Sequence, residues 1–230
     1  PAPWDSLNVG GMVGDEPGHT IENTKRIFEA VGLQPESSYD CWLVHSTDAI
    51  RVEGPRPVEA PYQKADILLT DRSEVTLFMR FADCVPIFLY DPVHRVIGLA
   101  HAGWIGTLNR VAGVAVRRMQ AWYQSKPEKI YACIGPSIGV DHYPVGFDVV
   151  NKAKLTFGAD ASRVLDKRDD HIHLDLWEAN RIILQEAGVD QIEIAGICTA
   201  CHHEEWFSHR ADRGKTGRFG GLITLGHPNG

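Results

Sequence analysis

The chain has few cysteines, no long apolar run and no excess of basic charge. Its 230 residues include 5 cysteines, an odd number at a low density, which is unlike small secreted domains stapled by disulfides. We therefore expect free thiols in a reducing, cytoplasmic compartment. No apolar stretch approaches the roughly 18 residues that a membrane span needs. The segment Pro1–Trp4 has neither the basic nor the apolar region of a secretory signal, so we expect no membrane partner.

Acidic side chains outnumber basic ones, 30 to 23, and the formal net charge is −7. Nucleic-acid binding needs a basic surface that neutralises phosphates, so we expect no nucleic-acid partner. An apolar fraction of 43% and a charged fraction of 23% are ordinary for a globular protein. Without a linker or an internal repeat, we predict one domain over residues 1–230, present as a monomer or a homodimer.

Hydrophobic periodicity predicts an α+β fold, arranged as a mixed α/β sandwich. The 3.6-residue spacing and the stop signals predict four helices: Thr20–Val31, capped by Thr20, then Thr107–Tyr123, Asp148–Phe157 and Trp177–Ala187. Short apolar runs between turn residues predict the strands: Leu43–His45, Ile50–Val52, Asp66–Leu69, Val75–Phe81, Pro86–Tyr90, Arg95–His101, Ile130–Ile134, His171–Leu174 and Ile192–Ile197. The tail Gly214–Leu225 is glycine-rich and then β-like.

Three metal-capable side chains lie at the ends of predicted strands. His45 ends an apolar run, Cys84 precedes Pro86 at a strand start, and His101 ends a strand before a glycine turn. Functional sites on α/β scaffolds are built at such strand ends. Two imidazoles and one thiolate match a three-ligand zinc site with one open position. The alternative is a buried cysteine and two histidines with ordinary hydrogen bonds.

The sequence Cys198-Thr199-Ala200-Cys201 places two further thiols in a CxxC spacing. Such a pair is compatible with a metal knuckle or a redox couple. No second CxxC completes an all-cysteine site, and the position near the C-terminus is unlike that of thioredoxin-type motifs. We interpret Cys198 and Cys201 as loop thiols that follow a strand.

A basic stretch runs from Ser208 to Arg218 in this acidic protein. It carries several cations, Arg210 and Arg218 among them, together with two glycines that let the backbone approach a ligand. This composition suits an anion such as phosphate, although it lacks the P-loop spacing. A solvated basic loop is the alternative interpretation.

Taken together, these residues resemble the YfiH family, also called the laccase-domain or polyphenol-oxidase-like family. Its members are described as zinc-dependent purine nucleoside phosphorylases with adenosine deaminase side activity. The matching segments follow the family order over nearly the whole chain: Ser6-Leu7-Asn8, Val13-Gly14-Asp15, Glu22-Asn23, Val44-His45, Ala65-Asp66, Thr70-Asp71, Ala82-Asp83-Cys84-Val85-Pro86, Ala100-His101-Ala102-Gly103-Trp104, Ile134-Gly135-Pro136, Tyr143, Val145-Gly146, Cys198-Thr199, Phe207-Ser208, Arg210, Asp212 and Thr216-Gly217-Arg218.

The resemblance implies that His45, Cys84 and His101 bind zinc. Cysteine and histidine ligands would also accept copper in vitro, by the general order of metal affinities. It implies phosphate and a nucleoside, such as adenosine, inosine or methylthioadenosine, as partners. Asp83 is a candidate orienting or proton-handling group beside Cys84, and Arg210 and Arg218 are candidate phosphate or ribose ligands. The chain departs from the family pattern at several positions: Leu43 for Gln, Ser46 for Gly, Ile105 for Arg, Ser137 for Cys, Pro144 for Glu, and the segment before Ser6.

Three other functions remain open from the residues. A copper-dependent polyphenol oxidase would need several His-x-His pairs, and His171-Ile172-His173 is the single such spacing. A hydrolase would use Cys84 as a nucleophile with a neighbouring histidine. A non-enzymatic metal-binding module would have a closed fourth ligand and no turnover.

Overall fold

Two β-sheets pack between helices in the computed structural model, which describes residues 2–226. The helices are α1 (Pro17–Ala30), α2 (Trp104–Leu108), α3 (Val111–Tyr123), α4 (Phe147–Phe157), α5 (Ala161–Val164) and α6 (Leu176–Glu186). The strands are β1 (Ser38–Tyr39), β2 (Ala49–Arg51), β3 (Ile67–Thr70), β4 (Thr76–Phe81), β5 (Val85–Asp91), β6 (Val96–Ala102), β7 (Tyr131–Ile134), β8 (Leu165–Arg168), β9 (His171–Leu174), β10 (Gln191–Ile194) and β11 (Phe219–Thr224). Every helix in residues 2–226 is too short or too polar to cross a bilayer.

The larger sheet has six strands in the order β10-β7-β5-β6-β3-β2. Its central strands β7, β5, β6 and β3 are antiparallel to one another, and the parallel strands β10 and β2 close the two edges. The smaller sheet has the order β1-β4-β11, and β8 with β9 forms a separate hairpin. The mixed pairing confirms the α+β sandwich predicted from the sequence.

The core forms because both faces of the larger sheet are covered. Along β3, Ile67 and Leu69 pack toward α3 and α6, whereas Leu68 packs toward the smaller sheet. Alternate residues of a strand point to opposite faces, so a strand buried on both faces is a continuous apolar run. On β4, Phe81 points into the space between the sheets and Phe78 points outward beneath α1. The result is four layers: helices, six-stranded sheet, three-stranded sheet and helix.

The chain passes from one sheet to the other at one corner of the sandwich. Residues Ala82–Cys84 connect β4 of the smaller sheet to β5 of the larger one, and residues 40–48 connect β1 to β2 in the same way. Asp83 has a left-handed backbone (φ 78°), and so does His45 (φ 58°). Both crossings therefore turn sharply at residues that the sequence marks as candidates for chemistry.

Most predicted elements are confirmed, and three differ for identifiable reasons. Leu43–His45 is an irregular segment that bends at His45 rather than a strand, because the buried carboxylate of Asp66 accepts hydrogen bonds from the amides of Val44 and His45. The long predicted helix is interrupted after Leu108, where Arg110 adopts a left-handed backbone (φ 65°), so α2 and α3 are separate. Thr20 lies inside α1 and does not cap it, since its hydroxyl donates to the carbonyl of Pro17.

Smaller differences concern strand lengths and omissions. The strand predicted over Ile192–Ile197 is β10, which ends at Ile194. The strands β1 and β8 are absent from the sequence prediction. β1 has only two residues, and the last residues of β8 are charged and exposed, so neither carries an apolar pattern.

The contact between α1 and the smaller sheet yields a stability prediction. Phe28 is 0% exposed and packs edge-on against Phe78 with ring centroids 5.5 Å apart. Phe28→Ala should lower the free energy of unfolding by about 3 kcal/mol, because it leaves a cavity in a closed layer. Ile21→Ala is the matched control on the same helix, since Ile21 is 71% exposed. Urea unfolding measures both variants, and equal losses would contradict the packing described here.

Candidate metal centre

His45, Cys84 and His101 come together at the corner where the chain changes sheets. The antiparallel register of β5 and β6 pairs Pro86 with His101, which places Cys84 beside the end of β6. His45 approaches from the loop between β1 and β2. The fold therefore brings together the three residues predicted as metal ligands. His45, predicted to end a strand, lies in a bend, and metal binding by the three residues stays a prediction.

The donor atoms of these three residues lie within 4.8 Å of one another. Cys84 Sγ is 4.0 Å from His45 Nε2, and the two imidazole rings are 5.0 Å apart at an angle of 71°. Sulfur and nitrogen ligands of one tetrahedral zinc ion are separated by about 3.6 Å. A side chain at Gly103 would lie 2.9 Å from Cys84 Sγ, so this position needs glycine. The three donors fit one metal ion with a fourth position left for another ligand.

A buried carboxylate, Asp66, orients two of the three ligands. Its oxygens accept hydrogen bonds from the amides of Val44 (3.2 Å), His45 (3.1 Å) and Ser46 (2.7 Å). They also accept from the Ser46 hydroxyl at 3.0 Å, and one lies 2.9 Å from His101 Nδ1. Because Nδ1 of His101 is held by the carboxylate, Nε2 is the nitrogen available to a metal. The sequence motif contained Asp66, but nothing in the sequence assigned it this role.

The electrostatics of the cluster favour a thiolate. Burial opposes ionisation of Cys84, yet the charge and hydrogen bonds of His101 and His45 lower the pKa of its thiol to about 6. Burial alone would raise the pKa of Asp66, but the hydrogen bonds from His101 and Ser46 hold it below its ordinary value. Thiolate is the form of cysteine that binds metal.

Asp83 is buried and both of its carboxylate oxygens are occupied. Oδ1 accepts the Thr199 hydroxyl at 2.7 Å, and Oδ2 accepts the Arg210 amide at 2.6 Å. Its own carbonyl accepts the amide of Ile138 at 3.0 Å. Asp83, which directly precedes Cys84, thus binds the loops that contain Ile138, Thr199 and Arg210. This geometry suits an orienting role better than proton transfer.

The two candidate anion ligands differ in their surroundings. The Arg210 guanidinium lies 4.7 Å from the centre of the Tyr143 ring and donates to the carbonyl of Pro144. Arg218 is half-buried and donates to the carbonyls of Thr216 and Gly217. Burial lowers the pKa of Arg218, while the charges of Cys84 and Asp83 favour its protonated form. Within residues 2–226, neither arginine forms a salt bridge.

A cavity of about 470 Å³ lies beside Arg218. Two short stretches of the chain, two arginines and a tyrosine line it: residues 10–13, residues 41–43, Tyr62, Arg80 and Arg218. The three candidate metal ligands do not line it. Arg218 lines the cavity and also feels the charge of Cys84, so it lies between the cavity and the cluster.

The structure also brings together four residues that the sequence analysis did not connect. Cys198 and Cys201, interpreted above as loop thiols, lie beside Asp141 and His142. Asp141 and His142 lie in a short 3-10 turn, Val140–His142, far from the cysteines in sequence. All five cysteines are unpaired in the described structure.

Two histidines and a cysteine, oriented by a buried carboxylate at a corner between two sheets, define a candidate metal-binding site on an α/β sandwich. The chain belongs to the family described as multi-copper polyphenol oxidoreductase laccase, whose family model matches residues 1–226. The resemblance seen in the motifs is thereby confirmed.

Similar proteins extend over nearly the whole chain. The purine nucleoside phosphorylase YlmD of Bacillus subtilis (strain 168) is 34% identical over 232 residues, which cover 97% of this chain and 83% of that protein. The purine nucleoside phosphorylase YfiH of Escherichia coli (strain K12) is 34% identical, with 97% and 88% covered. The crystal structure of YlmD from Geobacillus stearothermophilus superposes with a TM-score of 0.93 at 36% identity, covering 99% of this chain and 87% of that one.

The position of Asp66 predicts that metal affinity depends on a residue that does not touch the metal. Asp66→Asn should lower the affinity by about 10- to 100-fold, because His101 and the His45 turn lose their orienting acceptor. A competition assay with a chromogenic chelator measures this change. Asp40→Asn is the matched control, since Asp40 is also a buried carboxylate but binds Arg56 and Arg80 instead. Equal affinities for Asp66→Asn and the wild type would refute the orienting role.

The lowered pKa of Asp66 also predicts a pH dependence of stability in the metal-free protein. The ionised carboxylate stabilises the folded state at pH values above its ordinary pKa of 3.8, and this contribution is lost as the pH falls through the lower folded-state pKa. At neutral pH the free energy of unfolding of the wild type should be about 2 kcal/mol greater than that of Asp66→Asn. Urea unfolding from pH 7 to pH 3 should show this gap narrowing, and a gap that widens in acid would contradict the assignment.

Proposed function

We propose that this protein is a zinc-dependent purine nucleoside phosphorylase of the reducing cytoplasm that cleaves adenosine and inosine. The observation that carries the proposal is the half-buried Arg218, which has no carboxylate partner in the described chain and lies near a thiolate-forming metal cluster. A desolvated cation without a partner favours an anionic ligand. The relatives named purine nucleoside phosphorylase support phosphate as that anion.

Arg218 and Arg210 supply the donors for phosphate. Arg218 uses one terminal nitrogen for backbone carbonyls, which leaves the rest of its planar fork for phosphate oxygens. Arg210 is held by the Tyr143 ring and by Pro144, so its guanidinium has a defined direction. Two oriented cations hold phosphate for attack on the anomeric carbon, where the new carbon–oxygen bond replaces the glycosidic carbon–nitrogen bond. The purine base leaves with the proton of hydrogen phosphate, and holding both reactants in position lowers the entropic part of the barrier.

Cys84, His45 and His101 are the residues that would hold zinc, and the thiolate and imidazole donors suit that ion. When bound, zinc supplies a positive charge that polarises and orients an oxygen ligand at the open position. Asp66 keeps His101 in the tautomer that presents Nε2. Since all three donors come from one chain, the site is complete in a monomer or a homodimer.

The cavity beside Arg218 is the candidate site for the nucleoside. Its volume falls in the range of about 300–1,000 Å³ typical of small-molecule pockets. Trp42 and Tyr62 offer aromatic surface for a purine, and Arg218 joins this wall to the phosphate donors. Methylthioadenosine is a further candidate substrate, because the apolar side chains of the wall would accommodate its thioether.

Deamination of adenosine is proposed as a side activity of the same zinc site. Copper oxidation of phenols is the alternative suggested by the family description. His171 and His173 form the one His-x-His pair, but in residues 2–226 neither belongs to a cluster of metal-capable side chains. The cluster at Cys84 has three donor residues, which supports one ion at that position rather than a multicopper centre. A Cys84-based hydrolase would retain its activity after chelation.

The proposal predicts a phosphate-dependent reaction. With inosine, hypoxanthine should appear at a rate that rises and saturates with phosphate, and chelation should abolish it. Arg218→Ala should raise the KM for phosphate about 10-fold or more, because a charge-assisted hydrogen bond is lost, and should change the KM for inosine much less. A coupled assay for the free base measures both constants.

Arg213→Ala is the matched control, since Arg213 is an exposed cation in the same basic stretch. It should leave both constants near their wild-type values. Conversion of adenosine to inosine without release of base would establish deamination as the reaction instead. Oxidation of phenols after copper loading, with neither nucleoside product, would favour the oxidase.

A further inference from the structure

A second group of metal-capable side chains lies outside the His45–Cys84–His101 cluster. Asp141 and His142 come from the short 3-10 turn that follows β7, and Cys198 and Cys201 come from the loop that follows β10. One donor atom from each of the four residues lies within 4.8 Å of the others. No step proposed for the nucleoside reaction uses them.

Four of the six separations between these donor atoms match the edges of a tetrahedron around one zinc ion, and the other two are below 4.8 Å. His142 Nδ1 lies 3.5 Å from Cys201 Sγ and 3.8 Å from Cys198 Sγ, where zinc ligands of these types are about 3.6 Å apart. Asp141 Oδ2 lies 3.7 Å from Cys201 Sγ, where about 3.5 Å is ideal. It lies 3.2 Å from His142 Nδ1, where about 3.3 Å is ideal. All four separations agree within about 0.2 Å.

The backbone holds the two contributing loops together without a metal. Ser137 and Cys198 form a parallel bridge, in which the Ser137 amide donates to Ile197 and the Thr199 amide donates to Ser137. The Gly139 amide donates to Cys198 Sγ at 3.2 Å, which fixes the position of the sulfur. The ligands are therefore preorganised, which reduces the entropy lost when an ion binds.

We propose that Asp141, His142, Cys198 and Cys201 bind a second zinc ion in a closed, structural site. Four protein donors fill a tetrahedral shell, so no position remains for a substrate, in contrast to the three-donor cluster at Cys84. Two thiolates and an imidazole select a soft or borderline ion such as zinc over magnesium or calcium. The CxxC spacing of the two cysteines is a common one in structural zinc sites.

The second ion would stabilise the loops that hold Asp83, the residue directly before Cys84. Thr199, between the two cysteines, donates its hydroxyl to Asp83, and the Ile138 amide on the other loop donates to the Asp83 carbonyl. An ion joining these loops holds both sides of the turn before Cys84. This positioning effect rests on the proposed function of the first site, whereas binding of the second ion does not.

Metal counting tests the proposal directly. Protein purified with a phosphine reductant and without chelator should contain about two zinc ions per chain by mass spectrometry. His142→Ala and Cys201→Ser should each contain about one, and so should Cys84→Ser. His142 and Cys201 are exposed, so these substitutions leave the core intact. Cys133→Ser is the matched control, because Cys133 is a half-buried thiol on β7 outside both groups, and it should retain two.

Cobalt spectroscopy identifies the ligands independently of activity. Cys84→Ser loaded with Co(II) should show intense tetrahedral d–d bands and thiolate-to-cobalt charge transfer, and both should disappear in Cys84→Ser/Cys201→Ser. The proposal is overturned if the wild type holds one ion that Cys84→Ser removes. It is also overturned if His142→Ala and Cys201→Ser both keep two ions, or if Cys198 and Cys201 are recovered as a disulfide with no second ion. None of these results depends on whether hypoxanthine is released, so failure of the proposed reaction remains distinguishable.

Discussion

The carboxylate of Asp66 is the interaction on which the candidate metal centre depends. Asp66 directly precedes β3, which lies between β6 and the edge strand β2 of the larger sheet. Its two oxygens accept hydrogen bonds from the amides around His45 and from the ring of His101. A carboxylate buried this deeply is costly unless its lone pairs are satisfied. The backbone amides of the His45 turn satisfy them, and in doing so they bring a left-handed residue from one sheet crossing to the end of β6.

Asp83 performs the corresponding task at the other crossing. It is buried, has a left-handed backbone and accepts one side-chain and one backbone donor from the C-terminal loops. Each crossing between the sheets is thus stabilised by a carboxylate whose partners come from distant parts of the chain. The candidate metal ligands are held by the fold as a whole, which explains why a site on loops can be preorganised.

Charge is distributed unevenly around this corner. The protein carries a net charge of −7, yet Arg210 and Arg218 lie close to the thiolate-forming cluster without carboxylate partners in the described chain. Two arginines without carboxylate partners make this corner a candidate place for a small anion in an otherwise acidic protein. Ile105 follows Trp104 at the start of α2, where the family pattern has an arginine, so the candidate anion donors of this chain are the arginines of the C-terminal stretch.

The sequence by itself determined the layered α+β class, the apolar strands of the larger sheet and the helices α3, α4 and α6. It also singled out His45, Cys84 and His101 as candidate metal ligands. These features follow from local periodicity and from motifs whose residues are adjacent in the chain. Only the tertiary structure decided that residues 43–45 bend instead of forming a strand, because the deciding acceptor, Asp66, is distant in sequence. It likewise brought Asp141 and His142 to Cys198 and Cys201, since the parallel pairing of β7 with β10 places the loops that follow these strands side by side. Contacts between residues far apart in sequence leave no local pattern, and the second candidate metal site consists of such contacts.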